Sequence, residues 1–565
     1  MGLAREERPN RRGANVELKA SGLSLLLVSA ITCGIALCLS VGGAVEAQAA
    51  VRYVDGSLSA PCSTYSVQSR SCSGMDGNAY PTIQQAVTAV NPGDVVYVRG
   101  GIYNLASRQE ILLATLCTRG APCVLSGYQN EVVTIRGPVG YPAADANNGR
   151  GQAIGPVDPS DRAKLLHVTG NYWTITKLIL ENAGWYGCEV GGSNNLLTEL
   201  VVRHNWATGC QVVTGGHNNT FRYVAAHHTR HGSGLEVTVA SDETGTATGN
   251  RFERNLAYKN GRDGADVKVL NYPGPGGEGS DPGSDPGGGN SDGMGTDKGC
   301  ADAGALPKST NACQGTVFLE NLIWKNTDDC LDMSASNSWV IGNFVSDCGP
   351  EGNRGFKLFF QAPGVVYSGN LCYLSQDTCF DPQALDPITY INNAAISTPG
   401  YGFRVSPLNA LRTSVAANNI SFNNGLDYDW ASIPTVVGNL NTDPGLVNRA
   451  VALDYRAVEN DAGFPATTIQ SRWQSLWNQI EGAFKPASGT SAVVNAGTVV
   501  PGYHCPLADD KGQDVKAACR HWMGSAPDIG PFEFGITGNP DRRFSTTGGS
   551  PTTGPPAAPA GLTVK

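Results

Sequence analysis

Three neighbouring stretches of the chain concentrate acids and one lysine: Asp292, then Asp328-Asp329-Cys330-Leu331-Asp332, then Arg354-Gly355-Phe356-Lys357-Leu358. Carboxylates gathered on one face can hold a hard cation, and a lysine beside them can act as a base. Together those are the parts needed to pull a proton from a carbon next to a carboxylate. The same residues also have a purely structural reading. Asp is common at turns, so Asp328-Asp329 can simply shape a bend, and Lys357 can be a solvated surface group. Acids with perturbed protonation are structural as well as functional, so composition alone leaves both readings open.

The elements that must bring these residues together repeat. Between its ends the chain has few helical patterns and many short β-type runs punctuated by Gly and Asn. One phrase recurs, an apolar or small residue, two variable positions and then Asn. It occurs at Phe252–Asn255, Phe318–Asn321, Val340–Asn343, Tyr367–Asn370, Tyr390–Asn393 and Ala416–Asn419, the last five spaced by 22, 27, 23 and 26 residues. Earlier copies at Thr176–Asn182, Thr198–Asn205 and Phe221–His228 are degenerate. A period in this range means stacked repeats, and short strands with stacked Asn suit an all-β fold, the parallel β-helix. A leucine-rich repeat would show Leu-x-x-Leu-x-Leu, which is absent. Pro81–Val87 predicts a short amphipathic helix covering the first coil, whose open edge would otherwise template aggregation. Periodicity fades after about Asp443, and Thr467–Phe484 predicts a helix with Ile469, Trp473, Leu476, Trp477 and Ile480 on one face. Residues 50–442 are therefore read as the β-helix and 443–536 as a C-terminal capping segment of the same domain.

The period serves as a ruler. Asp332 lies 11 residues after Asn321, and Lys357 lies 14 after Asn343 in the following coil. The two can then sit one rung apart, about 5 Å. Asp328, Asp329 and Asp332 share one strand-and-turn stretch, while Asp292 belongs to the coil before, swollen by the insertion Asn271–Asn290. Four carboxylates on adjacent rungs could surround one cation with the lysine on their flank.

The ends of the chain suggest export. Residues 1–49 have a basic start (Arg5, Arg8, Arg11, Arg12, Lys19), an apolar stretch from about Leu23 to Val41 and the small-x-small site Ala47-Gln48-Ala49. An uncleaved membrane anchor is the alternative; the small residues favour cleavage, leaving a secreted chain, extracellular or periplasmic and off the membrane. Without Cys33 and Cys38, 14 cysteines remain as close neighbours: 62/72, 117/123, 188/210, 300/313, 330/348, 372/379 and 505/519. An even number in an exported chain points to disulfides. Zinc is disfavoured because no Cys-x-x-Cys pair and no histidine at ligand spacing occurs. Removing five basic and four acidic residues moves the formal charge from −9 to −10, and no basic run remains, which argues against a nucleic-acid partner. Residues 537–565 are rich in Thr, Pro and Gly and read as a linker or tail, their end similar to the first strand of a fibronectin-type-III-like module.

Ser291-Asp292-Gly293, Asn326-Thr327-Asp328-Asp329-Cys330-Leu331-Asp332 and Gly355-Phe356-Lys357-Leu358 resemble the motifs of family-9 polysaccharide lyases, calcium-dependent pectate lyases on a right-handed parallel β-helix. The resemblance implies calcium ligands at Asp292, Asp328, Asp329 and Asp332, the Brønsted base at Lys357, and an acidic polysaccharide, polygalacturonate or pectin, as the partner of a monomeric enzyme. It is close over about Phe252–Tyr373. Family members often continue the lysine motif with Gly-Gly where this chain has Phe359-Phe360, so the neighbouring subsite departs from the pattern. In the implied reaction a cation on the C6 carboxylate stabilises charge as lysine removes the C5 proton, and the 4-linked sugar leaves. Neutral lysine is required against a reference pKa of about 10.4, so an alkaline optimum and loss of activity with chelator are expected.

Other residues carry weaker expectations. Arg354 could pair with a uronate carboxylate, as could Arg230 or His231 in the run His227-His228-Thr229-Arg230-His231-Gly232; surface and turn placements are their alternatives. The insertion could hold a second calcium, though a loop at the cleft rim fits its Gly and Pro content better. Trp324 and Trp339 could stack on sugars or belong to the core. Two rival functions remain: a polygalacturonase-type hydrolase, which would need no cation or lysine base, and a non-catalytic polysaccharide-binding β-helix whose acids hold structural calcium. The same lyase chemistry would also serve alginate or another uronate polymer.

Overall fold

The structure is a computed structural model. It describes residues 49–138, 163–229, 232–239, 245–260, 292–297, 300, 312–349, 354–358, 362–382, 387–404, 414–429, 433, 435–448, 451–501, 503–506, 520–523 and 525–537. Arg230 and His231, the 271–290 insertion, Phe359-Phe360, Cys519, and nearly all of the expected signal and tail lie outside the described residues.

Strands one coil apart in sequence pair in parallel, which builds a β-helix as the spacing predicts. A 22-stranded sheet runs through the repeat, and an 11-stranded sheet runs from Ile111–Leu113 through Leu331–Met333 and Arg354–Leu358 to Leu426–Asp429. Period-two alternation explains the inside and outside of the second sheet. In Leu166-His167-Val168, Leu235-Glu236-Val237 and Leu331-Asp332-Met333 the flanking apolar residues are buried and the central polar one is only partly buried. Parallel stacking then lines the central positions into a polar row along the outside.

The repeated Asn is the spine of the turns. From Asn255 through Asn321, Asn343, Asn370, Asn393 and Asn419 to Asn439, each Asn Nδ2 donates to the next Asn Oδ1 at 2.8–3.0 Å. Each Oδ1 also accepts the backbone N–H of the preceding Asn. The residue before each ladder Asn is left-handed, as at Arg254, Glu320, Gly342, Gly369, Asn392, Asn418 and Gly438. That turn carries a backbone N–H out of the strand ladder, and the buried amide satisfies it. Inside the coils, aromatics stack on the same period: Phe221, Phe252 and Phe318 at 5.1 and 5.0 Å, and Phe356, Phe380 and Phe403 at 4.8 and 4.5 Å.

The predicted N-terminal helix α1 spans Ile83–Thr88, capped by the Thr82 hydroxyl, and buries Ile83, Ala86 and Val87 against the first coil. Its Gln84 side chain accepts from the Leu112 N–H at 2.7 Å, so it also tethers the first strand of the 11-stranded sheet. The second helix, α2, spans Ile469–Phe484 and buries the predicted face. It lies along the flank of the β-helix across successive coils, packing with Ile179, Val201, Ala225, Leu256, Leu322 and Phe344. Glu199 accepts from the N–H groups of Ile469 and Gln470, which anchors the start of α2 where its amides have no helical partner. Trp324 and Trp339 are buried, and Trp324 is stacked between Tyr258 and Tyr455, so neither offers a face to a sugar. Six of the seven neighbour cysteine pairs are bonded as spacing suggested, and Cys188–Cys210 joins residues directly opposite on adjacent rungs.

Candidate active site

The acids and the lysine meet on the outside of the 11-stranded sheet, in two columns three residues apart. Leu331 pairs with Met294 before it and Phe356 after it, and Phe356 pairs with Phe380. One residue further along each strand, Gly295, Asp332, Lys357 and Asp381 stand in register. Two residues back from the same pairs come Asp292, Asp329, Arg354 and Thr378, at the strand entries. Alternation turns Phe356 and Leu358 inward and Lys357 outward. Gly355 must be glycine, since a Cβ there would stand 2.6 Å from Cys372 Sγ of the Cys372–Cys379 disulfide beneath it.

The geometry of the cluster is tight. Lys357 Nζ stands 2.8 Å from Asp332 Oδ2 and 2.9 Å from Asp329 Oδ2. Asp292 Oδ1 accepts from the Asp329 N–H at 3.1 Å, and Asp329 Oδ1 accepts from the Arg354 N–H at 3.2 Å. Ligand oxygens of Asp292, Asp329 and Asp332 all lie within 4.8 Å of one another. Asp328 is buried beside this trio rather than within it. The Cys330–Cys348 disulfide ties the stretch that carries three of the acids to the coil wall.

Burial and mutual repulsion make these carboxylates expensive to ionise. Burial, then the charges of Asp332, Asp328 and Asp329, pushes Asp292 well above the carboxylate range. Asp328 rises to about 7 and Asp332 to about 6, burial again leading in both cases. Asp329 is raised too, chiefly by burial, with Lys357 and Arg354 pulling the other way. Burial pushes Lys357 down, but Asp332 and Asp329 outweigh it and hold the ammonium well above the usual lysine value. Asp332 Oδ1 is buried with no hydrogen-bond donor. Crowded oxygens, too few donors and raised carboxylate pKa values are the conditions that a hard divalent cation relieves, so the donor set fits calcium.

Arg354 is not turned toward open solvent alone. Its Nε is 2.6 Å from Asp381 Oδ2 and its Nη1 is 3.8 Å from Asp329 Oδ2, with a quarter of the side chain exposed. Asp381, 1% exposed and opposite Lys357 in register, is a charged neighbour among the described residues that the motif spacing did not point to. A signal for it existed: Thr378-Cys379-Phe380-Asp381 repeats the order polar, small, Phe, charged of Arg354-Gly355-Phe356-Lys357 one coil later. Arg230 and His231 are outside the described residues, so only their neighbours His227 and His228 are placed, on another face beside Tyr258 and Asp461.

Comparison with known proteins bears on the fold. Residues 65–271 match the family model described as Pel9A-like, right handed beta helix region. The match stops short of the acidic cluster. Pectate lyase PEL9 of Emericella nidulans is 31% identical over 193 residues, covering 33% of this chain and 44% of that protein. Pectate lyase L of Dickeya dadantii is 27% identical over 204 residues, 34% of this chain and 44% of that one. The chain thus spans less than half the length of these curated relatives. Among solved structures, the crystal structure of pectate lyase Pel9A aligns with 86% of this chain and 97% of its own at 17% identity and a TM-score of 0.47. Residues 65–271 thus match a family model described as a Pel9A-like right-handed β-helix region, while the acids and the lysine lie in the coils that follow the match.

Proposed function

We propose that this chain is a secreted pectate lyase that cleaves polygalacturonate by β-elimination, with Lys357 as the base and calcium held by Asp292, Asp328, Asp329 and Asp332. The observation that carries this reading is Lys357 Nζ standing 2.8 and 2.9 Å from two carboxylates of an oxygen cluster that also includes Asp292. A hydrolase needs two carboxyl groups working as acid and base; a lysine pressed against an acid cluster suits proton abstraction instead. The names of the relatives, pectate lyases from two organisms, support the same substrate class.

Calcium, when bound, supplies a positive charge to the uronate carboxylate and so acidifies the adjacent C5 proton. The chain's own residues do the rest. Lys357, whose ammonium Asp332 and Asp329 favour while their charge is uncompensated, must first give up its proton, and as the neutral amine it accepts the C5 proton at Nζ. The electrons of that C–H bond form the C4=C5 double bond as the C4–O bond breaks, and the departing oxygen takes a proton from solvent. Asp329 and Asp332 fix the amine against the sheet, which limits its motion and aims it outward. Arg354, with part of its guanidinium exposed, is the described candidate for a further uronate carboxylate. The six described disulfides suit an extracellular or periplasmic enzyme, and we take it to act as a monomer.

Incubation with polygalacturonate should release products that absorb in the ultraviolet because of the new double bond, and chelator should abolish them. Reducing ends without that absorbance would mean hydrolysis, and neither signal would leave a binding protein; either result overturns the reading.

A further inference from the structure

The outward columns contain a carboxylate that neither the cation nor the proton transfer uses. Asp381 lies one rung beyond Lys357, opposite it in register, on the side away from Asp332. It is almost fully buried, and its strand is held by the stack of Phe380 between Phe356 and Phe403 and by the Cys372–Cys379 disulfide. Its described cationic partner is Arg354, at 2.6 Å. The main chain of Arg354 is tethered to Asp329 through the N–H bond to Oδ1, so its guanidinium hangs within reach of that carboxylate, and Nη1 rests 3.8 Å from Asp329 Oδ2.

We infer that Asp381 is a positioning residue for the cation site: it holds the Arg354 guanidinium away from Asp329, so that the arginine does not join Lys357 in competing for the Asp329 carboxylate. The inference rests on the calcium reading proposed above. Its logic is competition. A guanidinium and a divalent cation cannot both occupy the same face of one carboxylate, and Arg is built to take a carboxylate with two donors at once. Asp381 offers a nearer and equally buried anion, so the arginine's charge is satisfied one rung away from the trio. Removing Asp381 releases Arg354 onto Asp329, where its charge opposes the incoming cation.

The test is a double-mutant cycle read as calcium affinity, by titration calorimetry on the full chain with calcium alone. Asp381→Ala should weaken binding about tenfold or more, within the usual range of coupling between neighbouring sites. Arg354→Ala alone should shift it by less than about threefold, and the double variant should return to within about threefold of wild type, because the loss in Asp381→Ala comes from the released arginine. Asp381→Asn, which keeps the side-chain shape, runs beside these and carries the cycle if the alanine variant fails to fold. Equal affinity in wild type and Asp381 variants overturns the inference. So does an Arg354→Ala effect of the same size in both backgrounds, which would mean that the two residues act as independent charges. A wild-type chain that binds no calcium overturns the calcium reading itself, and the inference falls with it; the wild-type titration therefore separates the two failures.

Discussion

At the scale of single residues, the site is a problem of crowded charge solved by one lysine. Lys357 neutralises two carboxylates across a rung, and its removal should therefore separate chemistry from binding. Lys357→Ala is expected to lose about 10²–10⁴-fold in turnover, the usual worth of a positioned proton acceptor. Its calcium affinity should stay the same or tighten, since an ammonium no longer competes for Asp329 and Asp332; calorimetry beside an elimination assay checks both. Asp292 should behave in the opposite sense. Its carboxylate is destabilised by burial and by three neighbouring acids. Asp292→Asn is therefore expected to melt at the same or higher temperature than wild type in chelator, while losing most of the stabilisation that calcium gives wild type. A differential melting experiment with and without calcium would reveal the reverse if Asp292 were only a structural turn acid. The types and spacing of Asp328, Asp329, Asp332 and Lys357 were legible in the chain because the repeat converts sequence distance into rungs. Asp381 was signalled only by the echo of Arg354–Lys357 in Thr378–Asp381, and it is register that sets it beside Lys357.

At the scale of elements, the Asn ladder and the flank helix set the rigidity of the sheet that carries the site. Asn370 is buried in mid-ladder; it donates to Asn393 Oδ1 and the Val340 carbonyl and accepts from the Asn343 N–H. Asn370→Ala strands several buried polar groups at once, each costing about 1–3 kcal/mol. We expect a loss of at least about 3 kcal/mol in denaturant unfolding, against which an Asn-to-Ala change at an exposed turn serves as control. The ladder's period was plain in the sequence from Asn321 onward because one amide per coil must answer one orphan N–H. The coils before it were read as degenerate for a physical reason too. There the strands Trp173–Glu181, Leu196–Arg203 and Thr220–His227 cover the position where later coils carry the ladder Asn. Left-handed residues at Lys177, Glu199 and Tyr223 interrupt those strands without an Asn following them.

At the scale of the whole molecule, the segment after 443 is bound to the β-helix by a buried charge cluster as well as by the apolar face of α2. Asp461 accepts from Arg203, His227 and Arg472 at 2.8–2.9 Å. Burial works against the Asp461 carboxylate, but His227, Arg472 and Arg203 outweigh it and hold it far below the usual carboxylate range. Breaking a buried pair from one side typically costs about 3–5 kcal/mol, so Asp461→Ala should lower the melting temperature clearly at pH 7. Nearby, burial and then the neighbouring His227 and Arg203 lower His204 from 6.5 to about 4, with Glu181 and Asp461 opposing. Burial, with His227, His204 and Lys259, lowers His228 as well. Histidines depressed in the folded state bind fewer protons than in the unfolded chain across that window, so their contribution to stability falls as pH drops from about 6.5 to 4, while the raised site carboxylates Asp328 and Asp332 contribute with the opposite sign. Asp461, also depressed, adds its own loss only below about pH 4, its unfolded value. A melting series across pH 7 to 3 should show a loss below about pH 4 in wild type that is shallower in Asp461→Ala.

The sequence by itself determined the repeat and the types of residue in the cluster, and it set close in the chain the cysteines of the six described bonds. Each of these is local or periodic: one Asn per coil, one cysteine near another, one acid a fixed count from a marker. Only the tertiary structure decided which columns face outward together, that Asp328 stands beside the oxygen trio, that Asp381 claims Arg354, and that α2 lies on the flank. Those outcomes depend on register between strands 20 to 40 residues apart and on which carboxylate a guanidinium reaches first. A difference of about 1 Å between two partners settles such choices, as with Arg354 at 2.6 and 3.8 Å, and no spacing along a chain encodes it.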